Sequence, residues 1–214
     1  MIISPGRNYI FVHIPKTGGT SMALALEGRA MKDDILIGDT PKARRRRKRL
    51  KGVETAGRLW KHSTLADIDG LVSPDVIDRA FVFTLVRNPW NRMVSYYHWL
   101  QDQAFEHPAV SLAKAVDFST FLNTPETQAA MRAAPYGHYV TDAKGRERCD
   151  AFIRLEHLET DGAPLWEHLG FCLDLPVNNR STRDRDYRRY YSQDDSTLVK
   201  SLFHHDVDRF GYAY

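Results

Sequence analysis

Cysteine is nearly absent from this chain. Only Cys149 and Cys172 occur in 214 residues. Two cysteines exclude a disulfide scaffold, and without clustered partners they do not make a zinc site. A chain that does not depend on disulfides suits a reducing compartment, so we expect a cytoplasmic protein.

Long apolar runs and dividing linkers are missing as well. No stretch of about 18 apolar residues occurs, and the first residues, MIISPGRNYIFVHI, contain neither a basic n-region nor a cleavable apolar core. We therefore expect neither secretion nor a membrane anchor. Without repeats or a low-complexity linker, and with 43% hydrophobic residues, the chain is predicted to form a single domain over residues 1–214.

Acidic residues are missing from one segment. Lys42–Lys51 contains eight basic residues, and since the whole chain carries +3, the remainder carries −5. Residues 32–57 around it lack clear periodicity, which predicts an exposed helix or a mobile loop without a core element. Arg44–Arg49 can be a solvated face, or can attract an acidic glycan, a membrane surface or nucleic acid. We do not expect nucleic acid.

The strongest elements of the pattern are two continuous apolar runs. Tyr9–Ile14 and Phe81–Val86 are rich in β-branched and aromatic residues, which is typical of buried strands in parallel sheets. Each run is followed by a polar turn and a helix-forming segment. The alternation predicts an α/β fold, a P-loop-like three-layer sandwich with a mainly parallel central sheet flanked by helices.

Weaker signals predict further elements. We expect a short strand at Leu59–His62, a strand pair formed by Tyr139–Thr141 and Cys149–Arg154, and helices over Ser73–Pro74 onward, Thr120–Met131, Gly162–Leu169 and Ser192–Phe210.

The first turn is dense in hydrogen-bond donors. Lys16, Thr17, Gly18, Gly19, Thr20 and Ser21 follow the first strand and open a helix. Backbone N–H groups at a helix N-terminus bind phosphate or sulfate esters, glycine lets the backbone approach, and lysine and hydroxyl side chains add donors. The lysine precedes the glycines, unlike in a Walker A loop, and G-x-G-x-x-G is missing. An ordinary capped turn remains the alternative.

A second polar motif follows the Phe81–Val86 strand. Arg87 stands at the strand end, Asn88–Pro89 opens a helix, and Ser95 comes about two helical turns later. Arginine and serine can flank a second anion there. Arg92 is expected to be structural, and the nearby Trp90, Tyr96, Tyr97 and Trp99 are expected mostly in the core.

Together, P-K-T-G-G-T-S after one strand and R-x-P-x-x-R-x-x-S-x-Y after another resemble the sulfotransferases that use 3′-phosphoadenosine 5′-phosphosulfate (PAPS). The chain is most similar to the heparan and chondroitin branch and its short bacterial relatives. The resemblance implies that Lys16–Ser21 hold the 5′-phosphosulfate, with Lys16 near the leaving oxygen, and that Arg87 and Ser95 bind the 3′-phosphate. The product would be 3′-phosphoadenosine 5′-phosphate, and no metal is needed.

Two later segments also resemble the family. Asp150–Asp161 is similar to its strand and acidic turn, and Asn179–Ser181 is similar to a segment that folds over the nucleotide, which implies that Arg180 and Ser181 contact it. His204 and His205 can suggest a metal, but adjacent helical side chains are expected to point to different faces.

A hydroxyl acceptor needs a general base, typically a histidine. His62 is the candidate, because it stands where the resemblance places the base of the heparan-type enzymes. His13 is expected to be a core histidine, and His98 and His138 remain alternatives.

Two other functions remain open. A P-loop-type nucleotide kinase or hydrolase would use the first turn, and a nucleic-acid or acidic-surface binding module would use the basic run. The acceptor itself, whether sugar, lipid head group, small alcohol or peptide tyrosine, is not specified by the sequence.

Overall fold

The computed structural model describes residues 1–175 and 184–214. Within these residues the strands are β1 (Ile2–Ser4), β2 (Tyr9–Val12), β3 (Ile35–Leu36), β4 (Phe81–Val86) and β5 (Ala151–Arg154). The helices are α1 (Gly19–Gly28), α2 (Pro41–Arg46), α3 (Pro74–Arg79), α4 (Pro89–Gln101), α5 (Pro108–Ala115), α6 (Phe118–Asn123), α7 (Pro125–Arg132), α8 (Tyr136–Tyr139), α9 (Leu158–Asp161), α10 (Ala163–Leu169), α11 (Gln193–Leu202) and α12 (His204–Phe210).

The described residues form two compact units. The first unit contains residues 1–86 and 136–175, and the second contains residues 87–135 and 184–214. All five strands belong to the first unit, in the order β3-β1-β2-β4-β5.

The sheet is mainly parallel. β2 pairs with β4, and β4 with β5, in parallel, whereas β1 runs antiparallel to both β2 and β3. Four of the five strands therefore point the same way, and β1 alone is reversed. The continuous apolar runs of β2 and β4 are buried on both faces, because the sheet is covered on both sides.

Each face of the sheet has its own core. On one face Phe11, Phe83 and Ile153 pack with Met22 of α1 and Leu165 of α10. On the other, Ile10, Val12 and Val82 pack with Ile77 of α3 and with Leu65. This gives three layers, so the predicted α/β fold class is confirmed.

The second unit is helical and has a separate core. Its buried side chains come from α4, α5, α6, α11 and α12, and include Trp90, Tyr97, Phe121 and Val199. Trp90 also donates its indole N–H to the Ser196 carbonyl at 2.9 Å. The core positions expected for the α4 aromatics are thereby confirmed for Trp90 and Tyr97, while Tyr96 and Trp99 pack at the edge of this core.

Two predictions are wrong and a third is confirmed only in part. Leu59–His62 is a turn, because Ser63 Oγ accepts a hydrogen bond from Trp60 N at 2.9 Å and lies 2.9 Å from the Trp60 carbonyl, which draws the backbone out of a strand. Residues 32–57 contain a core element after all, since β3 joins the sheet and Leu36, Ile37 and Ala43 are buried. The predicted strand pair is only partly formed: Tyr139 ends α8, and Thr141 makes a single antiparallel bridge to Glu147. The second strand, expected over Cys149–Arg154, is present as β5 but pairs with β4.

Two predicted helices are each divided in two. The helix expected over Thr120–Met131 breaks between α6 and α7, where Pro125 keeps Thr124 extended at φ −72° and ψ 128°. The helix expected over Ser192–Phe210 breaks at Phe203, which has φ −114° and ψ 24°. The helices at Pro74 and at Ala163–Leu169 are confirmed.

Candidate active site

The polar turn after β2 is built on two unusual backbone conformations. Lys16 has φ +65° and Gly18 has φ +87°, both in the left-handed region. A lysine rarely adopts this conformation, and such residues occur often at functional sites. Thr17 is fully buried and donates its hydroxyl to the Ile14 carbonyl at 2.9 Å, which closes the turn. The Thr17 hydroxyl is thus engaged inside the loop, and its N–H is the group it can offer an anion.

The start of α1 is suited to an anion. Gly18 is the N-cap and makes no side-chain cap hydrogen bond, and the first turn contains no acidic residue. The first N–H groups of any α-helix have no intrahelical partner and lie at the positive end of its dipole. Thr20 and Ser21 in this turn are half-buried. Backbone amides, two hydroxyls and Lys16 therefore belong to one short segment.

The two glycines of this turn are required by neighbouring side chains. A Cβ on Gly18 would lie 2.8 Å from Leu155 Cδ1, and a Cβ on Gly19 would overlap the His13 ring, with Cγ at 2.8 Å. The sequence suggested that these glycines admit a ligand. In the structure, the absence of a Cβ at these glycines also allows Leu155 and His13 to pack against the start of α1.

His13 links the start of α1 to His62. The His13 and His62 rings lie 4.6 Å apart, and His62 Nδ1 lies 2.8 Å from the His13 carbonyl oxygen. A carbonyl only accepts, so Nδ1 carries the proton and Nε2 of the neutral ring has a lone pair. Trp60 also packs against His62 in a T-shaped arrangement, with ring centroids 4.9 Å apart. His62 is thus held in one tautomer, one side chain away from the polar turn.

Both histidines are neutral at physiological pH. Burial lowers the pKa of His62 to about 3. Burial also holds the pKa of His13 well below its ordinary value, and the neighbouring His62 lowers it further. His13 is 6% exposed, so its predicted core position is confirmed.

Arg87 and Ser95 belong to the second unit. Asn88 caps α4 through its side-chain oxygen, which accepts from Asn91 N at 3.2 Å. Arg87 Nη2 donates to Asn91 Oδ1 at 2.9 Å, and Ser95, one turn beyond Asn91, is half-buried. Arg87, Asn91 and Ser95 therefore follow one side of α4.

Other sequence-predicted groups have structural partners. The Arg92 guanidinium is buried and lies over the Phe203 ring, 5.9 Å from its centroid. His98 Nδ1 lies 2.9 Å from the Val94 carbonyl, and His138 is exposed. Arg180 and Ser181 lie outside the described residues.

Sequence reasoning missed a pair at the end of β5. Arg154 Nε and Nη2 donate to the two oxygens of Asp161 at 2.7 and 3.0 Å, and the pKa of that carboxyl is lowered by this pairing. Asp150 accepts from Val82 N at 2.7 Å. The acidic turn therefore fixes the end of β5, just before Leu155. A strand-final arginine seven residues before an aspartate was the available signal.

The His204 and His205 rings lie 3.8 Å apart, so the expectation that they point to different faces is wrong. No group of three or more metal-ligating side chains is found in residues 1–175 and 184–214. Over the same part of the chain, none of the helices combines the length and the apolarity needed to span a bilayer.

The model of the sulfotransferase family matches residues 1–213. The chain belongs to the sulfotransferase family. The enzyme is thus a transferase that moves sulfuryl groups, and its family implies a hydroxyl-bearing acceptor. No curated protein sequence gives a significant match to it. A mouse sulfotransferase, SULT7A1, solved in complex with PAP, is similar in structure, with a TM-score of 0.49 and 16% sequence identity over 96% of this chain and 85% of that one.

Proposed function

We propose that this sulfotransferase transfers the sulfuryl group of PAPS to a hydroxyl. Lys16–Ser21 would hold the 5′-phosphosulfate, and Arg87 and Ser95 would bind the 3′-phosphate. The observation that carries the proposal is the glycine-capped start of α1, where the Gly19 and Thr20 amides lie outside the helical hydrogen bonds, with no acidic residue and with Lys16 at φ +65°. These donors fit a doubly charged ester. PAPS supplies the sulfuryl group, and adenosine 3′,5′-bisphosphate leaves.

His62 is proposed as the general base. Its Nδ1 donates to the His13 carbonyl at 2.8 Å, so Nε2 is the atom that would take the proton of the acceptor hydroxyl. With a pKa of about 3, the ring is neutral and ready to accept, but it is a weak base. Negative charge bound at the neighbouring turn would favour the protonated ring and raise its pKa toward the operating range. Nucleotide binding would therefore strengthen the base.

Lys16 is proposed to neutralise charge on the leaving oxygen. Sulfuryl transfer resembles phosphoryl transfer, in which positioning and cations provide most of the catalysis. We further propose that the two units act as one sulfotransferase domain, since the family match spans both. A cytoplasmic location is supported by two free cysteines, and cell fractionation would test it.

Calorimetry tests the nucleotide site. We expect adenosine 3′,5′-bisphosphate to bind and ATP with Mg²⁺ to bind weakly or not at all. Charged hydrogen bonds contribute about 1.5–3 kcal/mol each, so Lys16→Ala and Arg87→Ala should each weaken binding by about 10- to 100-fold. The exposed Lys200→Ala and Arg132→Ala are matched controls that should bind like the parent enzyme. Preferential ATP binding, or full affinity in both site variants, contradicts the proposal.

Turnover tests the base. His62→Ala should abolish sulfuryl transfer from PAPS while retaining nucleotide affinity, because His62 acts on the acceptor. Parental turnover in that variant would remove His62 from the mechanism. A panel of sugar, lipid, small-alcohol and tyrosine-peptide acceptors with labelled PAPS would identify the acceptor class, which substrate loops determine on a shared scaffold.

A further inference from the structure

The basic segment of the first unit is folded and is held to α1 and to the loop before β3. Thr40 caps α2 by accepting from Ala43 N at 3.2 Å, and it donates to the buried Glu27 at 2.6 Å. Arg46 donates to the carbonyls of Met31 and Asp34 at 2.8 and 3.1 Å. α2 runs on into a 3₁₀-helix over Arg47–Leu50. The segment therefore presents a defined surface.

Six basic residues of this segment are exposed, and we name them the basic surface: Arg44, Arg45, Arg47, Lys48, Arg49 and Lys51. Among the ion pairs of the described residues, none involves a member of the basic surface. Its positive charge is thus not neutralised by carboxylates of the described chain. A surface of this kind attracts an anionic partner.

Large apolar side chains are exposed beside the basic surface. Met31 is 41% exposed, Val53 37% and Trp60 45%, and these are three of the five large hydrophobic residues exposed in the described part of the chain. Met31 accepts a bond from Arg46, and Val53 follows Lys51 by two residues. Trp60, Arg47 and Leu50 line one cleft. Apolar and cationic side chains therefore share this side of the unit.

We propose that the basic surface docks this protein on an anionic lipid bilayer. Its cations would lie against the headgroups, and Met31, Val53 and Trp60 would enter the interfacial region, where tryptophan is especially favoured. A nucleic acid or an acidic glycan would satisfy the charges but would leave Met31 and Val53 in water. The pairing of apolar and basic residues therefore favours lipid.

This docking is independent of the proposed nucleotide site. Each member of the basic surface lies outside Lys16–Ser21, Arg87 and Ser95, so removing its charge should leave adenosine 3′,5′-bisphosphate affinity unchanged. A failure of lipid binding and a failure of nucleotide binding can therefore be told apart in one set of variants.

Vesicle sedimentation tests the proposal with the whole protein. We expect binding to phosphatidylcholine vesicles containing 30 mol% phosphatidylserine, on the order of physiological surface charge, weak binding to pure phosphatidylcholine, and release by added salt. Replacing Arg44, Arg45, Arg47 and Lys48 together by Gln should reduce partitioning by about 100-fold or more. A control with the same charge change, Lys114, Arg132, Lys144 and Lys200 replaced by Gln, should lose about threefold or less. Equal loss in both variants overturns the proposal.

Tryptophan emission distinguishes lipid from other polyanions. Anionic vesicles should shift the emission to the blue, and Trp60→Phe should remove most of that shift, because Trp60 is the most exposed large apolar side chain beside the basic surface. Binding to heparin or to a DNA duplex without binding to anionic vesicles overturns the proposal in favour of a polyanion. Vesicle binding with no Trp60-dependent shift overturns the insertion of the apolar side chains.

Discussion

The starts of α1 and α4 follow similar strand-to-helix sequences but are completed in different ways. α1 begins at a glycine with φ +87° and no capping side chain. α4 begins at Asn88, whose side chain already accepts from Asn91 N, with Pro89 at the first helical position. At α1 the Ser21 amide donates to the Gly18 carbonyl at 3.1 Å, which leaves the Gly19 and Thr20 amides for an anion. At α4 the Asn91 amide is used by the cap, and Pro89 has no N–H, so one amide fewer is left.

This difference indicates how each end would bind an anion. At α1 the backbone itself can surround a phosphate or sulfate ester, with Lys16 as an added charge. At α4, binding depends on side chains, namely Arg87 beside Asn91 and Ser95 one turn further. The two helix starts thus offer an anion different donors, backbone amides at α1 and side chains at α4.

Gly19→Ala should have the largest effect on this comparison. Its Cβ would overlap the buried His13 ring, which cannot move without disturbing His62. Such overpacking costs about 1–3 kcal/mol of unfolding free energy, and we expect most nucleotide affinity to be lost with it. Urea unfolding and calorimetry measure both effects.

Gly28→Ala, at the other end of the same helix, is the matched control. A Cβ there meets nothing within 4 Å. Alanine should be neutral or stabilising, by up to about 1 kcal/mol. If Gly19→Ala changed stability and nucleotide affinity as little as Gly28→Ala does, the close approach of His13 to the start of α1 would not be required.

The parts that sequence could predict are those encoded by neighbouring residues. β2 and β4 were recognised because each is a continuous apolar run, and Lys16–Ser21 because all its donors are consecutive. β3 could not be recognised, since two residues, Ile35 and Leu36, gain their strand conformation only from pairing with β1.

The details of the site depend on contacts distant in sequence. The tautomer of His62 is determined by the carbonyl of His13, 49 residues earlier. Thr17 has a hydroxyl that could donate a hydrogen bond to an anion. In the fold, the left-handed turn at Lys16 directs that hydroxyl to the Ile14 carbonyl. Sequence therefore predicts candidate residues for the site, and the fold determines which atoms they can offer.

Nucleotide binding should change the ionisation of His62. Its pKa is about 3 in the free protein, so the ring should show no titration above pH 4. Bound phosphate at the start of α1 should raise this pKa by about one unit or more, which corresponds to about 1.4 kcal/mol of interaction with the protonated ring. Histidine NMR signals, followed against pH with and without adenosine 3′,5′-bisphosphate, measure the change. Uncharged adenosine is the control and should leave the pKa of His62 unchanged. An unchanged pKa with the bisphosphate would mean that its phosphates bind away from α1.

Asn88→Ala should give the smallest effect and tests the other half of the comparison. The variant loses the cap to Asn91 N and the bond from Asn88 Nδ2 to the Ala213 carbonyl at 2.9 Å, so the second unit should lose about 1–2 kcal/mol. Ser73→Ala, at the start of α3, is the control, because Ser73 caps its helix without a side-chain bond and its loss should be smaller. Asn88 itself is not a proposed ligand of the nucleotide. Nucleotide affinity in Asn88→Ala should therefore fall only if loss of the cap displaces Arg87. A gain in affinity would mean that the freed Asn91 amide binds the anion.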